Sequence, residues 1–217
     1  MSEQNGTTSA PERATYPGLF DLVIERRQAA WDAGLYYDPW TDLTRRTGVN
    51  LEFRNGGPYE DWKDPWGLTN FNDLDVTLRF GLTEWQLRST LAHELVHLDR
   101  GPRADHTSEA VDENRTNRLA AQRMIDPVVF DKIMELGNGK PNRWVINHAL
   151  GVDLGLFRHY RGWRKTCKES TAMKAFEASR TKTPWPAPWV YKLVQKHPGN
   201  WPYMENAIAA AESAARA

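Results

Sequence analysis

Two histidines four residues apart, with a glutamate beside the first, have the types and spacing needed for metal chemistry. They lie in the stretch STLAHELVHLDRG, residues 89–101, as His93, Glu94 and His97. On an α-helix, residues four apart lie about 40° apart on one face, so both imidazoles can bind the same ion. Glu94 lies about 100° from His93 around the helix, where it can reach a water on that ion without being a ligand. The pattern predicts a metal site with Glu94 as its general base.

A third ligand is needed, because catalytic zinc usually takes three protein ligands and leaves the fourth position to water. The segment that follows predicts a helix with Ser108 as its N-cap. Glu113 shares a face of that helix with Asn117, so we predict Glu113 as the third ligand and Asn117 as a hydrogen-bond partner of one imidazole. Glu109, one turn earlier, is the alternative third ligand. This set favours one Zn²⁺ per chain and would also accept Mn²⁺ or Fe²⁺.

The helix that carries the histidines has well-marked ends. Thr83 and Gln86 form a capping-box pattern at its start, and Gly101 is expected to end it. Three leucines lie nearly opposite the histidines and predict a buried face: Leu87, Leu91 and Leu95. A closed structural site would need a fourth protein ligand, but the nearby Asp99 lies about 200° from His97 around the helix. We therefore predict an open, catalytic site.

The segments before this helix predict a small sheet. Residues 49–53 and 76–80 alternate apolar and other side chains, and GLTNFN, residues 67–72, lies between them. We expect a three-stranded, mostly antiparallel sheet and an α+β fold. The last strand is a candidate edge strand on which an extended substrate could pair, with an ordinary core strand as the alternative. It comprises Asp75, Val76, Thr77, Leu78, Arg79 and Phe80.

Composition limits the classes of function. Lysine plus arginine equal aspartate plus glutamate at 28 each, so the chain lacks the basic excess that general nucleic-acid binding requires. Cys167 is the single cysteine, which excludes an internal disulfide. Neither a signal-peptide pattern nor an apolar run of about 18 residues is present. We expect a cytoplasmic protein with no membrane partner.

Turn residues and composition divide the chain into three parts. Residues 1–15 are polar and predict disorder, residues 16–138 predict the domain with the metal site, and residues 139–217 predict a helical C-terminal region. Within that region, residues 141–165 have a helix-turn-helix pattern and residues 181–190 form a Trp/Pro-rich loop. We favour a structural belt for this loop over a partner-binding strap.

The helix-turn-helix pattern ends in a group of positive charges: Arg158, Arg161, Arg164 and Lys165. These residues would permit DNA contact through the C-terminal region. We favour a solvated helix face instead, and docking of a protein is at least as well supported as DNA contact.

The sequence does not identify the group that would stabilise an oxyanion. His106 and Tyr59 are weak candidates, and His106 is more simply explained as a surface loop residue. The other histidines have no ligand spacing and are predicted to be packed or on the surface: His148, His159 and His197.

The two motifs together resemble the ImmA/IrrE metallopeptidases. The resemblance rests on STLAHELVH followed by ENRTNRLAAQRMIDP and spans roughly residues 35–127. It implies a zincin-like metallopeptidase fold, zinc-dependent endopeptidase activity, Glu113 as the third ligand and Asn117 beside it. The sequence departs from the family pattern at Thr116, where alanine is usual, and at Leu119, where phenylalanine is usual. Neither position supplies a ligand or the base.

The resemblance also implies a protein substrate, a helix-turn-helix transcriptional repressor of a phage, mobile-element or stress-response switch. The alternative is a non-catalytic regulatory protein that uses a protease-like fold to bind DNA or protein. The intact Glu94 argues against that alternative, because a non-catalytic site has no need of a general base.

Overall fold

The computed structural model describes residues 16–55, 65–104, 106–180 and 185–196, together with 205–206, 208–209 and 213. Within them the fold is α+β, as predicted, with helices packed around one three-stranded sheet. The segment 1–15, Tyr59 and His197 lie outside the described residues. No helix in the described part of the chain is long and apolar enough to cross a membrane.

The elements follow one another in the order helices, strands, helices. The helices are Leu19–Asp32 (α1), Pro39–Thr44 (α2), Glu84–Arg100 (α3), Glu109–Met124 (α4), Pro127–Leu136 (α5), Arg143–Val145 (α6), Leu154–Arg164 (α7), Glu169–Arg180 (α8) and Pro188–Lys196 (α9). A π-helical segment, Ile146–Leu150, continues α6. The strands are Asn50–Arg54 (β1), Gly67–Asn70 (β2) and Asp75–Arg79 (β3).

The sheet has the order β1-β3-β2, which corrects two expectations. The pairing of β1 with β3 is parallel and that of β2 with β3 is antiparallel, so the sheet is mixed rather than mostly antiparallel. The prediction that Asp75 to Phe80 form an edge strand is wrong. Strand β3 is the central strand and is hydrogen-bonded on both sides, and Phe80 lies just after its end. Within the described residues, β2 is the strand beside α3 that has a neighbour on one side only.

One face of the sheet packs on the leucine face of α3. Val76 and Leu78 of β3 are fully buried, and they contact Leu91 and Leu95 in one hydrophobic cluster. This confirms the predicted buried face of α3. Burial of each such side chain contributes about 1.5–3 kcal/mol, so this contact fixes the side of α3 that is left to face outward.

A larger core joins the helices before and after residue 138. It includes Leu19 of α1, Val96 of α3 and Phe157 of α7. The segment 139–164 therefore packs into the same hydrophobic core as the elements that precede it. Its first helical part ends at Gly151, whose φ of 71° suits glycine, and α7 begins just after this turn.

The described part of the Trp/Pro-rich loop packs as a structural belt. Trp185 Nε1 donates to Thr47 O at 2.9 Å, and Trp189 Nε1 donates to Leu98 O at 2.6 Å. A Cβ at Gly101 would lie 2.8 Å from the Trp189 ring, so the glycine that ends α3 also admits this ring. The loop predicted for residues 181–190 does not extend to residue 190, because α9 begins at Pro188.

Candidate metal centre

Helix α3 begins and ends at the predicted residues. Thr83 Oγ1 accepts from Gln86 N, and Gln86 Oε1 accepts from Thr83 N at 2.8 Å, which completes the capping box. The histidines lie in the partly exposed part of the helix, whereas Glu94 is only 5% exposed. The helix therefore presents two imidazoles to a cleft and holds the carboxylate beside them away from bulk water.

The side chains of His93, His97 and Glu113 converge on one point. The two Nε2 atoms are 3.0 Å apart, and each lies 3.1 Å from a Glu113 carboxylate oxygen. Ligand atoms about 2.0–2.1 Å from a tetrahedral ion would lie roughly 3.3 Å apart. These three residues therefore form a group that could hold a metal ion, and no other His, Cys or acidic side chain of the described residues belongs to it.

Helix α4 supplies the third member of this group. Ser108 caps the helix by accepting from Val111 N, as predicted. Glu113 is one turn closer to the histidines than Glu109, which is exposed and lines the same cavity without joining the group. The ligand atoms of the predicted set, His93, His97 and Glu113, thus come together, whereas Glu109 lies outside this group.

Each imidazole has a polar partner on its other nitrogen. His93 Nδ1 donates to Asn117 Oδ1 at 3.0 Å, which is the contact predicted for Asn117. His97 Nδ1 lies 3.8 Å from Asp112 Oδ2, a partner that the sequence reasoning missed. The Asn117 contact places a proton on Nδ1 of His93, so the Nε2 atom of that ring would be the one available to a bound metal.

Asp112 is itself held in place by Arg100. The Arg100 guanidinium donates to the Asp112 carboxylate and to Thr116 Oγ1. Asp112 and Thr116 are both buried. The Thr116 hydroxyl therefore helps to hold the arginine that positions Asp112.

Glu94 is positioned by strand β2. Thr69 Oγ1 donates to Glu94 Oε2 at 2.7 Å. A Cβ at Gly67 would lie 2.5 Å from Glu94 Oε1, so glycine is needed there to admit the carboxylate. Burial raises the pKa of Glu94 above its usual range, although the neighbouring imidazoles and Thr69 lower it. A carboxylate with a raised pKa is better suited to accept a proton near neutral pH.

The other charges in the group are coupled. Hydrogen bonds with His93 and His97 hold the pKa of Glu113 well below its usual range. Burial lowers the pKa of His93, but its hydrogen bond with Glu113 and the charge of Glu94 raise it by more, so its net pKa is above the usual value. Glu113 therefore remains ionised, as a metal ligand must be.

These residues line an open cavity of about 840 Å³. Its apolar wall comes from β2 and the residues around it, including Trp66, Leu68 and Phe71. His159 of α7 also lines it, which the sequence reasoning missed, because its spacing to the other histidines carries no signal. His106 does not line the cavity.

The Asp99 carboxylate of α3 points away from the group, as predicted. Asp99 pairs with Arg46 at 2.6 Å and with Arg123, on the side of α3 opposite the cavity. Among the described residues, the candidate centre therefore has three protein ligands, which leaves a position for water or substrate.

Comparisons with known proteins found no matching family model, no matching curated protein and no matching solved structure.

Proposed function

We propose that this protein is a metal-dependent endopeptidase. One observation carries the proposal: a group of ligand type and spacing, His93, His97 and Glu113, lies beside the buried Glu94 in a cavity large enough for several residues of a peptide. The resemblance of the two motifs to the ImmA/IrrE metallopeptidases supports the same activity. Two imidazoles and a carboxylate favour zinc.

Glu94 is the proposed general base. When bound, the metal would polarise the scissile carbonyl and increase the acidity of a water molecule. Glu94 would accept a proton from this water and pass it to the leaving amine. Thr69 would keep one carboxylate oxygen fixed during this transfer, since its hydroxyl already donates to Glu94.

His159 is the proposed donor to the carbonyl oxygen that becomes negative. It lies on α7, which forms a different wall of the cavity from strand β2. Burial lowers its pKa, so the imidazole is neutral at neutral pH and can donate one N–H. A donor placed where charge develops stabilises the transition state more than the bound substrate.

The proposed substrate is a protein segment in extended conformation. Strand β2 borders the cavity and, among the described residues, pairs only with β3, so its other side can hydrogen-bond an added strand. The exposed Leu68 and Trp66 offer apolar contact to alternate side chains of such a segment. The repressor substrate and its phage or stress-response setting rest on the family resemblance alone.

Contact with DNA through α7 is the less favoured role. Arg164 is already engaged with Asp131 at 2.7 Å and with Cys167 O. His159, on the same helix, faces the cavity. We therefore propose that α7 serves as a wall of the active site.

The test is cleavage of a diverse peptide mixture by the zinc-loaded full chain. Wild type should cleave at defined bonds, and Glu94→Gln should lose a factor of about 10²–10⁴ in rate while keeping its metal. Glu84→Gln, an exposed glutamate in the first turn of the same helix, is the matched control and should cleave normally. Equal cleavage by Glu94→Gln and wild type, or metal-loaded wild type that cleaves nothing, would overturn the proposal.

A further inference from the structure

Four arginines from distant parts of the chain surround a second, smaller cavity of about 50 Å³. They are Arg26, Arg27, Arg88 and Arg180, and we call the space between them the arginine cavity. One water needs about 10–15 Å³ of such volume, so the cavity has room for a few waters or for one phosphate-sized ion. Asp126 is the only carboxylate among the described residues that line it.

Two of the four guanidinium groups form ion pairs with a carboxylate, and the other two form none within the described part of the chain. Arg26 pairs with Asp126 at 2.9 Å, and Arg88 pairs with Asp38 at 2.8 Å. Among the described residues, Arg27 and Arg180 donate only to backbone carbonyls. The acceptors are His148 O and Ala149 O for Arg27, and Arg123 O and Leu35 O for Arg180.

One unused donor borders the arginine cavity near Gly151. The Arg88 Nε atom is buried and has no hydrogen-bond partner in the described structure. A Cβ at Gly151 would lie 3.9 Å from Arg27 Nη2 and 4.0 Å from Arg88 Nε. Two guanidinium groups therefore approach the same small space, and one of them has an N–H with nothing to donate to, which is costly when buried.

Arg180 closes the arginine cavity from α8. Burial lowers the pKa of Arg180 to about 10, despite the charge of Asp126. Its guanidinium lies 3.7 Å from the centroid of the Phe176 ring, which offsets part of the cost of its burial, and a bound anion would offset more of it. The tetrahedral oxygens of a phosphoryl group match the N–H fork of arginine.

We propose that the arginine cavity is a binding site for a phosphate-sized oxyanion, with inorganic phosphate as the simplest ligand. The ligand would connect Arg27 of α1, Arg88 of α3 and Arg180 of α8. Because Arg88 lies on the same helix as His93, the site would brace α3 from the side away from the cavity of the candidate metal centre. The site is independent of the proposed peptidase activity.

The experiment is thermal unfolding of the full chain in inorganic phosphate and in chloride at equal pH and ionic strength. A tenfold excess of phosphate over its Kd should raise the Tm by roughly 3–6 °C. Arg180→Gln and Arg27→Gln should each abolish this rise. Arg158→Gln, an exposed arginine of α7 that does not line the arginine cavity, is the control and should keep it. Glycerol 3-phosphate, in a parallel series, distinguishes a free ion from a phosphomonoester.

Glu113→Ala separates this site from the candidate metal centre, where phosphate could also bind a metal. The phosphate-dependent rise should persist in Glu113→Ala. A rise that disappears in Glu113→Ala but remains in Arg180→Gln would overturn the proposal. Absence of any phosphate effect on wild type, by Tm and by calorimetric titration, would also overturn it. If Arg180→Gln does not fold, Arg27→Gln decides the outcome.

Discussion

Helix α3 has ionisable side chains on two sides, and their charges are balanced in different ways. On the core side, Asp99 lies between Arg46 and Arg123, and the Asp99 and Arg46 side chains are only 6% and 3% exposed. Asp42 adds a second carboxylate to Arg46 at 2.9 Å. Two arginines and two aspartates thus neutralise one another within the protein.

On the cavity side, two carboxylates face two imidazoles. When both Glu94 and Glu113 are ionised and both imidazoles are neutral, this group carries two negative charges, which a bound dication would balance. The same helix therefore carries one charge cluster that is complete in the folded chain and one that could hold a metal ion. The first should determine stability and the second activity, and single substitutions can separate the two.

Glu113→Ala should have the largest effect, and only on the cavity side. Structural zinc sites bind with about 10–16 kcal/mol, so loss of one of three ligands should weaken binding by roughly 10³-fold. Metal content after dialysis measures this. Glu109→Ala, in the same cavity, should retain one metal per chain. Metal lost with Glu109→Ala and kept with Glu113→Ala would move the third ligand by one turn.

Asp99→Asn should act on the core side alone. It leaves Arg46 and Arg123 with one charge too many in a buried setting, and breaking such a cluster costs about 3–5 kcal/mol. In the wild type, the contacts with Asp99 and Asp42 outweigh burial and raise the pKa of Arg46. Without Asp99 the arginine still cannot lose its proton, because a guanidinium stays charged in proteins. Urea unfolding measures the loss.

The control for Asp99→Asn is Asp21→Asn, an exposed aspartate of α1, which should change the free energy of unfolding by less than about 0.5 kcal/mol. Metal affinity should be unchanged in both variants at temperatures where they are folded. A large loss of metal in folded Asp99→Asn would show that the two sides of α3 are not separable.

His159→Gln sharpens the comparison, because it tests a cavity residue that is not a ligand. Loss of one donor to an oxyanion lowers kcat by about 10²-fold, with KM and metal content little changed. A variant that keeps kcat but raises KM would show that His159 binds substrate in its ground state. His148→Gln, whose imidazole contacts Trp144 away from the cavity, is the control.

Local sequence signals predicted the parts of the site that lie within one or two helices. The capping box at Thr83 and the glycine at 101 fixed both ends of α3, and helical periodicity placed Glu113 and Asn117 on one face. These features depend on residues at most four apart, so they can be detected without knowledge of the tertiary structure.

The features that the sequence did not predict depend on distant contacts. The alternation of Val76 and Leu78 shows which side of β3 is buried, but it is the same for a central and an edge strand. His159 reaches the cavity because α7 packs on α4, far away in the sequence. The link between Asp112 and His97 depends on the angle between two helices, so it has no local sequence signal.

Thr69→Val should have the smallest effect, and it tests whether β2 tunes the base. The Thr69 hydroxyl donates to Glu94 and so favours the ionised carboxylate, which lowers a pKa that burial has raised. Without this hydrogen bond the pKa of Glu94 rises further, because a hydrogen bond that favours the ionised carboxylate is lost. The base must be ionised to act, so activity is lost as pH falls through this pKa. The acidic limb of the pH–kcat/KM profile should therefore move to higher pH.

Thr77→Val on β3 is the control and should leave the profile in place. An acidic limb that stays in place in Thr69→Val would show that the ionisation of Glu94 does not determine this limb.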